Sequence, residues 1–166
     1  MVPVHDPVTG LYDMDSFLDR TQHLLEIQPK NVSYAMICLS VSNLEAISYV
    51  KGIKTKNHVL YWIASYVREK YDTIRDIAAY GYIQHIGFIF YVSEKYLTDG
   101  KFYEHFANIA VRHPFPFRLS FNYSTYMIHN QTMTADELSK KVIQGIYDHP
   151  NVPSILVPEE TVIATD

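Results

Sequence analysis

The chain has 166 residues, the length of one domain, and carries 14 Lys and Arg against 18 Asp and Glu for a net charge of −4. That balance argues against a dedicated nucleic-acid binder, which needs a basic stripe. The 48% apolar content excludes disorder, the single Cys excludes a disulfide scaffold, and six scattered glycines cannot assemble a glycine-rich phosphate loop.

The opening residues, with two prolines and Gly10, lead through Asp13 to apolar positions at helical spacing (Phe17, Leu18, Thr21, Leu24, Leu25), which predicts a helix over 15–28 ended by Pro29. Residues 32–42 form a nearly continuous apolar run, as expected of a central strand. Two helices follow, over 43–51 and 56–70, the first ended by Gly52 and the second burying Val59, Leu60, Ile63 and Val67. Residues 77–91 hold two β-rich runs that predict a hairpin turning near Gln84-His85. A helix over 97–112 is broken by His113-Pro-Phe-Pro116, and a long strand is expected over 117–128. Thr134-Ala-Asp-Glu137 has the capping-box pattern and starts a helix that ends near His149-Pro150, before a last strand over 154–157.

This order predicts an α+β, ferredoxin-like domain: a central, mostly antiparallel five-stranded sheet with helices packed on one face. The whole of 1–166 reads as a single domain. No apolar run approaches the roughly 18–20 residues needed to span a bilayer, and MVPVHDPVTG lacks a signal-peptide core. A cytoplasmic domain without membrane contact is expected, even where a full-length protein is membrane-tethered.

Individual side chains offer few catalytic alternatives. Cys38 sits inside an apolar run and reads as a small buried hydrophobe. The eight His show no ligand spacing with a third carboxylate, so a metal is not expected from them. Hydrolase, zincin, redox and NTPase motifs are absent. Tyr61, Trp62 and Tyr66 read either as core packing or as a partner surface.

Three stretches nevertheless resemble one family. Asp6-Pro-Val-Thr-Gly-Leu-Tyr12, followed by Phe17-Leu18, is similar to the D-x-L-T-G-L-x opening of the GGDEF domains of diguanylate cyclases. Leu39-Ser-Val-Ser-Asn-Leu-Glu-Ala-Ile-Ser-Tyr-Val-Lys-Gly52 aligns without gaps on that family's L-D-I-D-x-F-K-x-I-N-D-x-x-G, and Thr134-Ala-Asp-Glu-Leu138 with Gly145-Ile-Tyr147 resembles its A-D-x-L…A-L-Y helix. The resemblance covers roughly 6–157 and implies a domain of a larger, bacterial, multidomain signalling protein.

The family condenses two GTP into cyclic di-GMP across a dimer, using two divalent metals held by carboxylates. On the matching positions this chain departs from the pattern throughout. The metal-ligand Asp falls on Ser40, the next Asp on Ser42, and the guanine-contacting Asn and Asp on Ser48 and Asn57. With Phe88 anchoring the signature, its five positions are Gln84, His85, Ile86, Gly87 and Phe88, so both glycines and both acids are replaced. The triphosphate-contacting bases after the last helix are replaced by Asp148-His-Pro-Asn151. Of the product-inhibition motif R-x-x-D, Arg75 remains while the Asp position is Ala78.

The resemblance therefore implies a catalytically inactive GGDEF-like module for regulation or dimerisation in cyclic di-GMP signalling, partnered by other domains of its chain or by a second copy. The alternatives are a non-catalytic receptor for GTP or cyclic di-GMP using Ser48, Asn57 and Arg75, and an active cyclase with relocated ligands such as Glu45 or Asp76. No cofactor is expected, and Mg²⁺ only where nucleotide binding survives.

Overall fold

The computed structural model describes residues 2–29, 31–71, 77–128, 132–148 and 154–156. Helix α1 (Met14–Ile27) begins where the Asp13 carboxylate accepts from the Ser16 N–H at 2.9 Å, and strand β1 (Tyr34–Val41) follows it. Helices α2 (Leu44–Lys51) and α3 (Ile53–Tyr71) are separated only by Gly52, whose φ of +94° lets the chain turn as its N–H closes α2 on the Ser48 carbonyl. Helix α3 thus starts three residues earlier than its apolar spacing predicts.

Strands β2 (Ile77–Ile83) and β3 (Gly87–Ser93) form the expected hairpin. The helix predicted over 97–112 is two helices, α4 (Glu94–Thr98) and α5 (Lys101–Arg112), because Gly100 takes φ +74° and interrupts the helical backbone between them. Beneath that break the Tyr96 hydroxyl lies 2.6 Å from His105 Nδ1, with Tyr71 packed alongside.

Strand β4 (Phe121–Ile128) starts four residues later than predicted. The preceding residues are engaged elsewhere: the Asn43 side chain donates to the Arg118 carbonyl at 2.7 Å and accepts from the Ser120 N–H at 3.0 Å. Helix α6 (Ala135–Asp148) opens on the expected capping box, the Thr134 Oγ1 accepting from the Glu137 N–H while the Glu137 carboxylate accepts from the Thr134 N–H at 3.0 Å. Those hydrogen bonds hold the Glu137 carboxyl below the usual range.

The sheet runs β2-β3-β1-β4, closed at its edge by the short parallel strand β5 (Ser154–Leu156); the other pairings are antiparallel. This is the α+β architecture expected, with one correction: helices cover both faces. Ala35, Ile37 and Leu39 of β1 pack with Val59, Ile63 and Val67 of α3 and Phe102, Phe106 and Ile109 of α5. Met36 and Cys38 face the other way, onto Phe17 and Leu25 of α1 and Leu138, Val142 and Ile146 of α6. That is why β1 reads as an unbroken apolar run: alternate residues enter two cores. Each fully buried Phe among Phe17, Phe88, Phe90 and Phe102 contributes roughly 2 kcal/mol of transfer free energy. Burial also pushes the Cys38 thiol up to about 12, which leaves it inert.

Candidate functional site

The N-terminal loop is held by a dense set of hydrogen bonds. The buried Asp6 carboxylate accepts from the Val8 N–H, the Thr9 N–H and the Thr9 hydroxyl at 3.1, 2.8 and 2.9 Å, and the Thr9 hydroxyl accepts from the Leu11 N–H. Gly10 completes the turn at φ +75°. Tyr12 then lies against β2, its carbonyl accepting from the Tyr82 N–H at 2.9 Å, and a side chain on Gly81 would stand 2.8 Å from that same carbonyl. The loop therefore anchors β2 at Tyr82, one residue before the Ile83 that opens the hairpin turn.

At that tip Ile83 pairs with Gly87, leaving Gln84, His85 and Ile86 as the loop, and the Ile86 N–H donates to the Ile83 carbonyl at 3.1 Å. His85 sits third in this turn with φ +67°, the left-handed conformation that glycine adopts freely and an L side chain at a cost of roughly 1 kcal/mol. Across the sheet β1 and β3 pair Leu39 with Phe88, which places Gly87 beside Ser40. A Cβ on Gly87 would collide with the Leu39 carbonyl and lie 2.9 Å from the Ser40 Cα. The contact is backbone on backbone, so no rotamer relieves it.

An open cleft of about 320 Å³ lies at this end of β1. Ser40, Ser42, His85, Ile86, Gly87 and Phe88 all line it, so the structure brings these six of the positions picked from the sequence together, while Gln84 lies outside its lining. Lys56, Tyr82 and Asn122, which belong to no motif, complete its polar wall with Tyr147 of the last helix's motif; tertiary packing assembles them. Glu45 also faces the cleft, its carboxylate 3.3 Å from the Lys56 ammonium. Ser48 and Asn57 are half-exposed on α2 and α3 and lie outside the cleft lining. Arg75, Asp76 and Asn151 lie outside the described residues.

The donor set does not fit the two-metal chemistry implied by the resemblance. Hard divalent cations take carboxylate and carbonyl oxygens. At the ligand positions stand two hydroxyls, an aliphatic chain and a glycine, and the one carboxylate among the cleft's described residues, Glu45, faces a lysine. Among the described residues no three His, Cys, Asp or Glu side chains are grouped to hold a metal. No helix among them is long and apolar enough to cross a membrane.

No protein-family model matches the chain, and no curated protein does. Solved structures do. The chain is similar to the GGDEF domain of DgcB from Caulobacter crescentus in complex with c-di-GMP, at TM-score 0.75 and 10% identity, covering 92% of this chain and 94% of that one. It is similar to the GGDEF domain of FimX from Pseudomonas aeruginosa, at TM-score 0.74 and 15% identity over 93% and 99%. A third is diguanylate cyclase SiaD in complex with its activator SiaC, also from Pseudomonas aeruginosa, at TM-score 0.73 and 18% identity over 92% and 61%. The fold is that of a GGDEF domain.

Proposed function

We propose that this domain keeps the GGDEF fold as a non-catalytic regulatory module, engaging other domains of its own chain or a second copy in cyclic di-GMP signalling. One observation carries the reading: the Gly87 backbone rests on the Leu39 carbonyl at the position where the signature's second acid stands. The acid is absent, and so is the space from which a side chain would reach the metals. The hydroxyls of Ser40 and Ser42 cannot neutralise a triphosphate, and His85 with Gln84 brings bulk to the turn whose glycines let a phosphate approach.

A module of this kind works through contacts. SiaD in its complex with SiaC is one instance of a cyclase chain that binds a second protein. The test is to incubate the purified chain with GTP and Mg²⁺ and resolve the products by chromatography, beside calorimetric titrations with GTP and cyclic di-GMP. The expected result is no cyclic di-GMP and no micromolar heat. Product would overturn the non-catalytic reading, and micromolar binding without product would replace the module with a nucleotide receptor.

A further inference from the structure

The corner where α2 turns into α3 stands open: a side chain placed on Gly52 would meet nothing within 4 Å. Around it Tyr49 is 92% exposed, Val50 72% and Ile53 66%, while the residue that α2 buries is Ile47. We propose that this corner is the docking surface of the contact module described above, on which reading it rests, and that it takes an acidic amphipathic segment of a partner protein.

Single exposed apolar side chains are ordinary on a protein surface, but adjacent ones rimmed by charge mark interaction sites. Here Tyr49, Val50 and Ile53 fall within five residues, and the exposed Lys51 and Lys54 stand between and beside them. On α3 the stripe continues to Tyr61, eight residues beyond Ile53 on the same helical face and 54% exposed. The neighbouring Trp62 and Tyr66 are half-buried, Trp62 packing on Phe115 and on Tyr66. Of the three aromatics singled out on this helix, Tyr61 belongs to the surface and the other two to packing.

Charge identifies the partner. Residues 46–68 hold Lys51, Lys54, Lys56 and Arg68 and no Asp or Glu, in a chain of net charge −4. Lys56 is engaged by the Glu45 carboxylate at 3.3 Å and Arg68 by the Thr9 carbonyl at 2.8 Å, so Lys51 and Lys54 carry the charge of the corner. A partner that offers carboxylates to these two ammonium groups and apolar side chains to Tyr49, Val50 and Ile53 matches both halves of the surface. A second copy docked by the same patch would bring lysine against lysine. An anionic membrane is held by clusters of about four to eight basic residues, and two fall short.

The probe is a synthetic amphipathic helix about 18 residues long, with Leu on one face and Glu on the other, titrated into the purified chain and followed by amide shifts in NMR. Saturable binding with Kd on the order of 100 μM is expected, with the shifts centred on 49–54. Lys54→Glu puts an acid in the first turn of α3, which that helix end favours, and should weaken binding by about tenfold. Tyr49→Ala, at an exposed position, should do the same. The counterpart peptide with Gln for every Glu should bind about tenfold more weakly. Lys140→Ala, at an exposed cation of α6, should change nothing.

Absence of saturation by about 1 mM, equal affinity for the Gln peptide, or a Lys54→Glu variant that binds like the parent overturns the proposal. So does either rival occupant: flotation of the chain with phosphatidylserine vesicles that Lys54→Glu abolishes, or dimerisation of the chain alone in sedimentation that Tyr49→Ala abolishes. The two readings fail separately, since a peptide that does not bind removes this surface while the GTP assay still decides the non-catalytic one.

Discussion

The N-terminal loop and the hairpin tip flank the same strand, β2, and they differ in what their side chains do. In the loop every polar group bears on shape: Asp6 accepts three hydrogen bonds, Thr9 relays a fourth, and Gly10 supplies the left-handed turn. At the tip the side chains bring bulk and packing, with His85 at φ +67° where glycine fits best and Ile86 in the cleft wall. The loop's shape is therefore enforced by buried hydrogen bonds, and the tip's path by the pairing of β3 with β1 that seats Gly87.

That contrast can be broken most severely at Gly87. Gly87→Ala drives a Cβ into the Leu39 carbonyl and should cost more than about 3 kcal/mol, read as a lowered urea midpoint or as insoluble protein. A near-neutral result would mean that the tip is not closed on β1. Asp6→Ala should cost about 2–3 kcal/mol, since it leaves the buried Thr9 N–H without its acceptor. If the loss were within about 0.5 kcal/mol, the loop would not be the scaffold it is taken for.

His85→Gly sharpens the comparison in the opposite direction. Relief of the left-handed backbone should raise stability by about 0.5–1 kcal/mol in the same denaturation assay, less the entropy that glycine adds to the unfolded chain. The smallest effect is expected at His105, away from both regions. Burial first, then the nearby Lys70 and Lys101, holds its ring below the usual 6.5. The unfolded chain then takes up a proton that the folded one resists, so stability is unaffected well above 6.5 and falls as pH drops below it. His105→Gln should flatten that decline in urea midpoints measured from about pH 8 to about pH 5.5.

Much of this was legible in the residues wherever the determinant is local. The capping box at Thr134 and Glu137, the Gly52 break and the hairpin at Gln84-His85 all follow from short-range rules, and the structure bears them out. The convergence of Ser40, Ser42, Ile86 and Gly87 followed from a family pattern that fixes which strand ends meet. What escaped was tertiary. The helical spacing of 97–112 ran through Gly100 because a single glycine is tolerated in a helical pattern, and nothing nearby announced φ +74°. The start of β4 depended on Asn43, more than seventy residues upstream. Helices on both faces were implied by the unbroken β1 run, which was read for its apolarity and not for its two sides.

The seating of Gly87 on the Leu39 carbonyl also sets the order in which acids could be introduced around this cleft. Placing acids at 40 and 86 is a matter of side chains, but position 87 accepts none until β3 is lifted from β1, and lifting it disturbs the Leu39–Phe88 pairing that seats a core phenylalanine. The first step along that route loses stability. A designer would have to rebuild the turn before touching its charge, and a library of single substitutions would never find the way.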